Sequence, residues 1–290
     1  MIDLLAKQRY FFIGVAGAGM SAIAQYLAGN GKTVSGSDRL FLAESDDPVQ
    51  KKLEEAHIQC FIQDGSGLDA TMDYVIVSTA IEETNPEIQK ARLLNIPVVL
   101  RADLLAAICK SKRTIAIAGT SGKSSVTAML YHILEQQGLG PSLISGAGLV
   151  DLQRKGKIGN AACGDGEWLL IEADESDGTL VKYEPEIGLL LSIDKDHKEI
   201  SELMDIFTLF RSHCSQHFIV NRSHPLASSL TTQSDFDFGK GTLYEGHDFV
   251  QEGFSIQFRV AGILVSLPAI GLHSMENALA CMAVAGLLGV

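Results

Sequence analysis

The sequence is poor in cysteine, in basic residues and in long apolar runs. Its five cysteines among 290 residues form no C-x-x-C pair, a spacing that thiol redox sites and zinc sites often use. An odd number of dispersed cysteines in a long chain indicates a reducing compartment, in which each thiol is a small buried apolar group. The five positions are Cys60, Cys109, Cys163, Cys214 and Cys281.

Basic residues are outnumbered, because 23 Lys and Arg face 35 Asp and Glu, which gives a formal net charge of −12. Nucleic-acid binding relies on basic surface, so this balance argues against a nucleic-acid partner. No apolar stretch reaches the roughly 18 residues that cross a membrane, and the N-terminus MIDLLAKQRY has no signal-peptide core. We therefore expect a cytoplasmic protein without a membrane partner. The oligomeric state stays open.

Strand-like and helix-like segments alternate along the chain, which has enough length and apolar content for two domains. Apolar runs such as YFFIGVA and DYVIVSTAI are typical of buried parallel strands, and helical patterns separate them. A second series starts at TIAIAG, after a basic linker near 110–112. The pattern predicts an α/β protein with parallel sheets, a first domain over 1–110 and a second over 111–290. A small added β section, with a hairpin turn near Gly262, precedes the last helix.

The segment GVAGAGMSA follows the first strand and opens the first helix. Gly17, Gly19 and Ala22 fit G-x-G-x-x-A, in which glycines let the backbone approach a diphosphate at a helix N-terminus. Ser37 and Asp38 end the second strand, where they can reach a ribose or a base. This turn predicts a nucleotide diphosphate, either NAD or another; the alternative is a tight turn without a ligand.

A second glycine turn, AGTSGKSS, lies between the strand TIAIAG and a helix. It matches G-x-x-x-x-G-K-[ST] except that Ile117 replaces the first glycine. We expect the backbone N–H groups of 120–124 to surround an anion, Lys123 to meet the β and γ phosphates, and Ser124 to bind Mg²⁺. The alternative is a serine-rich helix cap in which Lys123, in a solvent-facing loop, has no role.

Carboxylates follow the apolar strand EWLLIEAD, and an Asp-His pair follows the strand EIGLLLSID. In parallel α/β sheets such strand ends meet at the edge that binds ligands, so both groups are candidates for a metal. The alternative is a solvated acidic loop. The candidates are Glu172, Asp174, Glu175 and Asp177 from the first strand, and Asp196 and His197 from the second.

Six motifs in order resemble the Mur ligases, most closely the branch that adds L-alanine to UDP-N-acetylmuramate. They are FFIGVAGAGMSAIA, VSTAIEETNPEIQKARLLNIPVVLRADLLA, AGTSGKSSVTAML, IEADESD, DKDH and GLHSMENALA. The resemblance implies a Rossmann-like domain that binds the UDP-sugar, and then a P-loop-type ATPase domain. It also implies ATP-dependent ligation, in which the muramate carboxylate becomes an acyl phosphate that the amino acid's amine attacks to form an amide.

The resemblance also implies a role for each site residue. The UDP-sugar, rather than NAD, is expected at Gly17, Ala18, Gly19, Met20, Ser21, Ser37 and Asp38. ATP is expected at Gly119, Thr120, Ser121, Gly122, Lys123, Ser124, Ser125, His273 and Asn277. Magnesium is expected at Ser124, Glu172 and His197, and the catalytic residues are expected to be Lys123, Glu172 and His197.

Several positions depart from the family pattern. Ser121 stands where the alanine ligase has histidine, Ser192 and Ser274 replace asparagines, and Gln63-Asp64 replaces a Gly-His pair beside the uridine. The family's C-terminal, amino-acid-binding domain is expected to follow the last helix, and this sequence ends there. The isolated chain is therefore expected to be inactive in ligation. Two alternatives stay open: a two-domain nucleotide-binding relative without ligase activity, and the related ligase that adds a whole peptide to UDP-muramate.

Overall fold

The protein was analysed as a computed structural model, which describes residues 4–42, 47–175, 178–195 and 198–290. The chain forms two compact units. The first comprises Met1–Lys112 with Ser142–Asp165, and the second comprises Arg113–Pro141 with Gly166–Val290. This division differs from the predicted domains 1–110 and 111–290, because residues 142–165 belong to the first unit. No pattern in the sequence indicates that residues 142–165 belong to the first unit.

The first unit contains a parallel five-stranded sheet in the order β3-β2-β1-β4-β5. Residues Tyr10–Ile13 of the first strand are fully buried, as the continuous apolar run predicts. The order reverses beside β1, and a ligand of an open α/β sheet binds at such a switch point. The elements are β1 (Arg9–Ile13), α1 (Ala18–Gly29), β2 (Thr33–Asp38), α2 (Pro48–Glu55), β3 (Ile58–Ile62), β4 (Tyr74–Val77), α3 (Pro86–Leu93), β5 (Val98–Leu100) and α4 (Arg101–Ser111).

Two helices of this unit begin at a capping side chain. Asn85 caps α3, since its side chain accepts hydrogen bonds from Glu87 N and Ile88 N at 3.0 and 3.4 Å. Asp47 caps α2 in the same way. Each cap is followed by a proline at the first helical position, where its fixed φ suits the helix and its missing N–H is not needed.

Residues 142–165 form an insertion that packs on α1. Its two short strands, β7 (Ser142–Ile144) and β8 (Ala161–Ala162), pair antiparallel, and α6 (Val150–Arg154) lies between them. The side chain of Asn160 is buried, donates to Ala18 O and Ser21 Oγ at 2.8 and 2.9 Å, and accepts from Gln25 Nε2 at 2.8 Å. Asn160 therefore holds the first turns of α1, beside the first glycine turn.

The second unit contains parallel strands in the order β11-β10-β6-β9. Strand β6 is buried from Thr114 to Ala118 and lies between β10 and β9, so the order again reverses at the strand before a glycine turn. The elements are β6 (Arg113–Ala118), α5 (Lys123–Gln136), β9 (Trp168–Ala173), a 3₁₀ turn (Thr179–Lys182), β10 (Ile187–Leu190), α7 (Ile200–His213), β11 (His217–Val220), α8 (Pro225–Ser228), β12 (His247–Glu252), β13 (Ser255–Val260), β14 (Ile263–Leu267) and α9 (Leu272–Leu288).

The predicted β hairpin is confirmed and is larger than expected. Strands β13 and β14 pair antiparallel, and Gly262 with φ 80° lies in their turn. A third strand, β12, pairs with β13, so the added section is a three-stranded sheet. The sequence HDFVQE of β12 is mostly exposed and lacks the alternation that marks a strand.

Two global expectations can be compared with the structure. All five cysteines are free thiols. Cys109 and Cys281 are buried as expected, and burial raises the pKa of the Cys281 thiol to about 12. The expectation of burial is wrong for the others, because Cys60 and Cys214 are half-buried and Cys163 is exposed. None of the helices in the described ranges is long and apolar enough to span a membrane.

Candidate functional site

The first glycine turn connects β1 to α1 and is tied to the end of β2. Gly14 has φ 78°, a conformation that glycine adopts without strain. The N–H groups of Gly14 and Val15 donate to Ser37 O at 2.7 and 3.0 Å. The Asp38 side chain, which is 6% exposed, accepts from Ala16 N at 2.9 Å and from Leu40 N at 3.1 Å. Asp38 therefore shapes the turn.

A cavity of about 640 Å³ opens at this turn, within the first unit. The ends of β1 and β2 and the segment after β4 form its walls, as expected for a site at the switch point of a parallel sheet. Gly17 and Asp38 line it as predicted. The cavity is also lined by residues that were not predicted from the sequence, including Gly14, Ala16, Arg39, Ile81 and Thr84. Gln63, one of the two residues that replace the family's Gly-His pair, lines it as well.

Gly19 is close to an arginine rather than to open space. A Cβ atom at Gly19 would lie 2.6 Å from a terminal nitrogen of Arg101, the first residue of α4. The glycine therefore leaves room for a guanidinium beside the start of α1. The sequence analysis missed Arg101, which is 82 residues away along the chain; only its place directly after a strand marks it.

Of the other residues predicted for the UDP-sugar, Ala18 is exposed at the start of α1, and Met20, Ser21 and Ser37 lie deeper. Met20 and Ser21 are buried, and the Ser21 hydroxyl donates to Ala18 O at 3.0 Å and accepts from Asn160. These contacts give Ser21 a role in holding α1. Ser37 is fully buried, and its Oγ has no hydrogen-bond partner within the described residues.

The second glycine turn connects β6 to α5 and depends on two left-handed glycines. Gly119 has φ 132° and Gly122 has φ 86°. A Cβ at Gly119 would lie 2.9 Å from Ser192 N, and one at Gly122 would lie 2.7 Å from Asn277 Oδ1. Both conformation and space therefore require glycine at these positions.

Ser192 braces this turn, which corrects one expectation. Thr120 N donates to Ser192 O at 3.1 Å, and Ser121 N donates to Ser192 Oγ at 3.0 Å. Those two N–H groups are thus occupied, whereas the sequence analysis assigned all N–H groups of 120–124 to an anion. The first N–H groups of a helix have no partner within it, so those of Lys123 and Ser124, at the start of α5, are better placed to receive an anion.

The two functional side chains of the turn each contact a carboxylate from the end of β9. Lys123 Nζ donates to Glu175 Oε2 at 2.9 Å and to Gly119 O at 2.7 Å. Ser124 Oγ donates to Glu172 Oε2 at 3.0 Å. The predicted meeting of this strand end with the turn therefore occurs. Lys123 is only 17% exposed, so it is not the solvent-facing lysine that the sequence suggested.

Of the three residues expected to bind magnesium, Ser124 and Glu172 are among the described residues. Ser124 and Glu172 are adjacent oxygen donors, the type that Mg²⁺ prefers. His197, Asp196 and Asp177, which the sequence analysis also considered, lie outside the described residues. Within the described ranges, no three His, Cys, Asp or Glu side chains form a group that could hold a metal ion.

A second cavity, of about 350 Å³, adjoins this turn within the second unit. Five of the residues predicted for ATP line it: Ser121, Gly122, Ser125, His273 and Asn277. The other lining residues include Asn221, Phe238 and Glu276, which were not predicted from the sequence.

These three residues come from separate segments, and only Glu276 lies in a recognised motif. Asn221 follows β11, and its Nδ2 donates to Glu276 Oε2 at 3.4 Å. Phe238 is buried and supplies an apolar wall. The cavity thus combines an apolar surface with amide and carboxylate groups, a combination that suits a nucleobase.

Comparison with known families identifies both units. The description "Mur ligase family, catalytic domain" matches residues 9–113, and "Mur ligase middle domain" matches residues 117–285. The chain belongs to the Mur ligase family. The matched ranges contain the two glycine turns and both cavities that the structure shows for this Mur ligase chain.

Curated relatives match this Mur ligase chain over nearly its whole length. The UDP-N-acetylmuramate–L-alanine ligase of a Cyanothece species is 34% identical over 300 residues, covering 97% of this chain and 60% of that protein. The enzyme of the same name from a Synechococcus species is 35% identical, covering 99% of this chain and 62% of that protein. The chain therefore spans about 60% of the length of these relatives.

Solved structures of Mur ligases share the fold. The UDP-N-acetylmuramate-alanine ligase of Thermotoga maritima matches with a TM-score of 0.83 at 24% identity, covering 98% of this chain and 66% of that chain. The UDP-N-acetylmuramate:L-alanyl-γ-D-glutamyl-meso-diaminopimelate ligase of Neisseria meningitides matches with a TM-score of 0.81 at 21% identity, covering 98% and 95%. The α/β fold with a Rossmann-like unit and a P-loop-type unit is thereby confirmed.

Proposed function

We propose that the chain binds the UDP-sugar and ATP for an enzyme that joins L-alanine to the carboxylate of UDP-N-acetylmuramate. The observation that carries the proposal is the pair of glycine turns, each at a switch point and each beside its own cavity, in a Mur ligase chain. Its similarity of about 34% to enzymes named for this reaction supports L-alanine over a whole peptide as the added group. The reaction is a step of peptidoglycan precursor synthesis.

The first unit is proposed to hold the UDP-sugar. The N–H groups of residues 14–17 already donate within the turn, so the donors proposed for the diphosphate are those of Ala18 and Gly19 at the start of α1. Asp38 keeps the turn in shape. Arg39 and Gln63 line the same cavity and can contact the nucleoside. Met20 and Ser21 are buried, so they support the site from within the fold, Met20 by packing and Ser21 through its hydrogen bonds to Ala18 and Asn160.

The second unit is proposed to hold ATP. Lys123 meets the terminal phosphates, the start of α5 supplies N–H donors, and the cavity of Asn221, Phe238, His273 and Asn277 receives the base. Ser124 and Glu172 fit Mg²⁺, which supplies charge neutralisation for phosphoryl transfer when bound. His197 is proposed as a further metal ligand, on the family resemblance.

The proposed chemistry has two steps. The muramate carboxylate oxygen attacks the γ-phosphorus, and ADP leaves. The amine of L-alanine then attacks the acyl carbon, phosphate leaves, and the amine loses a proton. The chain's own contribution is positional and electrostatic, since Lys123 and the helix start face the charge that develops on the phosphoryl oxygens. Because the reaction consumes ATP, we place the enzyme in the cytoplasm. Through peptidoglycan synthesis, the reaction is proposed to support cell shape and cell division.

Calorimetry tests the ligand of the first unit. Titration with UDP-N-acetylmuramate is expected to give saturable binding, and titration with NAD is expected to give none, because the proposed site recognises a UDP-sugar. Uridine alone serves as the control for the diphosphate. Saturable binding of NAD without a response to the UDP-sugar would contradict the proposal and favour an oxidoreductase.

A further inference from the structure

We propose that Glu175 is the internal counter-ion of Lys123: it holds the ammonium in the nucleotide-free turn and competes with the terminal phosphates of ATP for it. The inference rests on the proposed ATP site. It concerns a carboxylate that the sequence analysis grouped with possible metal ligands. It assigns Glu175 instead to the control of nucleotide affinity.

The contact is direct and enclosed. Lys123 Nζ lies 2.9 Å from Glu175 Oε2, and the two side chains are 17% and 5% exposed. A second N–H of the same ammonium reaches Gly119 O at 2.7 Å. Two of the three ammonium donors are thus satisfied by the protein before any phosphate arrives.

The sheet dictates this meeting. Strands β6 and β9 are parallel neighbours in which Ala118 is opposite Ala173, so the segments that follow them leave the sheet side by side. Glu175 is the second residue after Ala173, and the glycine turn begins directly after Ala118. A carboxylate at this position therefore faces the turn.

The two carboxylates after β9 face different partners. Glu172 accepts from the Ser124 hydroxyl, the side chain proposed for Mg²⁺, whereas Glu175 accepts from the Lys123 ammonium. Asp174, between them, is 57% exposed and lies 4.0 Å from Lys123 Nζ. This separation assigns Glu172 to the metal side and Glu175 to the phosphate side of the turn.

Breaking the Lys123–Glu175 ion pair has a different effect depending on which partner is removed. A buried charge that loses its partner is strongly destabilising, because its desolvation is no longer compensated. Removing Lys123 thus leaves Glu175 unpaired, which costs stability. Removing the charge of Glu175 leaves the ammonium available to the phosphates and takes a negative charge away from the polyphosphate.

The first experiment is a thermal-melt cycle on the parent, Lys123→Met, Glu175→Gln and the double variant, without nucleotide. Lys123→Met is expected to lower the midpoint by roughly 5 °C or more, from an unpaired buried carboxylate in a unit of this size. Glu175→Gln in that background is expected to restore most of the loss. Equal losses for Lys123→Met in the two backgrounds would overturn the ion pair.

The second experiment measures ATP and adenosine binding without Mg²⁺, so that the metal site does not contribute. Glu175→Gln keeps an oxygen that can accept from Lys123 and removes the charge. It is expected to tighten ATP binding roughly tenfold and to leave adenosine binding unchanged, since one charge-assisted contact no longer competes. Asp174→Asn, with the same change of charge on the same loop, is expected to give a smaller gain.

The outcomes separate this inference from the proposed function. A parent protein that binds neither ATP nor adenosine contradicts the proposed ATP site, while the melt cycle still decides whether the ion pair exists. A parent that binds ATP, with a Glu175→Gln variant that binds it equally or more weakly, overturns the competition and leaves the ATP site standing.

Discussion

The two glycine turns have the same local structure and different chemistry. Each follows a buried parallel strand at a switch point and opens a helix. The first is braced by the Asp38 carboxylate, which accepts two backbone N–H groups. The second is braced by the Ser192 hydroxyl and carbonyl, and it carries a lysine in an ion pair. Side chains from neighbouring strands, rather than the glycines, therefore distinguish the two sites.

The cavities beside the two glycine turns also differ. The first turn adjoins about 640 Å³ and has no lysine of its own, so a diphosphate there would be recognised mainly by backbone donors and nearby arginines. The second adjoins about 350 Å³ and places an ammonium within its own loop. A lysine ammonium is suited to a phosphoryl group that is transferred, whereas backbone donors suit a diphosphate that stays attached.

The strongest test of the comparison is Lys123→Ala. Charge-assisted hydrogen bonds contribute about 1.5–3 kcal/mol, so ATP affinity is expected to fall by roughly tenfold to more than a hundredfold. UDP-N-acetylmuramate affinity is expected to be unchanged, because it binds in the other unit. Titration calorimetry with both ligands measures this, and Lys155→Ala, an exposed lysine of the first unit, is the control for charge. Undiminished ATP binding would leave the second turn as a simple strand-to-helix connection.

Replacing one glycine of each turn by alanine compares the backbone conformations of the two turns. Gly122→Ala forces a φ of 86° on alanine and brings its Cβ to 2.7 Å from Asn277 Oδ1, so a loss of roughly 1–3 kcal/mol is expected. Gly17→Ala keeps an ordinary φ of −61°, and its Cβ would lie 3.3 Å from Gly14 O and 4.0 Å from Met20 Cγ. Urea denaturation is expected to show the larger loss for Gly122→Ala; the reverse order would refute the left-handed conformation of the second turn.

Asp38→Asn tests the brace of the first turn. An amide has one accepting oxygen, so one of the two backbone N–H groups at Asp38 loses its partner, at a cost of about 1–2 kcal/mol. Affinity for the UDP-sugar is expected to fall and ATP affinity to stay the same, in parallel titrations. Asp69→Asn is the control, because its carboxylate is exposed, accepts from nearby Thr71 and lies outside the residues that line the cavity. Equal effects of the two substitutions on UDP-sugar binding would contradict the brace.

The smallest expected effect is that of Ser124→Ala. It removes a hydroxyl proposed for Mg²⁺, so ATP binding is expected to weaken in the presence of Mg²⁺ by severalfold and to change little in its absence. Ser121→Ala is the comparison on the same turn, since Ser121 contacts Ser192 through its backbone N–H. A loss that is the same with and without Mg²⁺ would assign Ser124 to the phosphates instead.

Local patterns in the sequence were sufficient to predict the helices and strands that position the two sites. Asn85 and Pro86 mark the start of α3, Gly122 and Lys123 mark the start of α5, and buried apolar runs mark β1 and β6. Each feature depends on neighbours within a few residues, so its physics is contained in a short window. The hairpin turn at Gly262 was predictable for the same reason.

Only the tertiary structure decided which distant residues meet. Asn160 holds Ser21 across 139 residues, Glu175 pairs with Lys123 across 52, and Thr120 contacts Asp194 across 74. None of these partners has a local signal, because an asparagine or a glutamate after a strand is compatible with many environments. Their roles follow from the parallel pairing of β6 with β9 and β10, and from the return of residues 142–165 to the first unit. The sequence by itself determined the strands and turns that flank the two glycine motifs, and the family; strand order and packing decided how Lys123 is held.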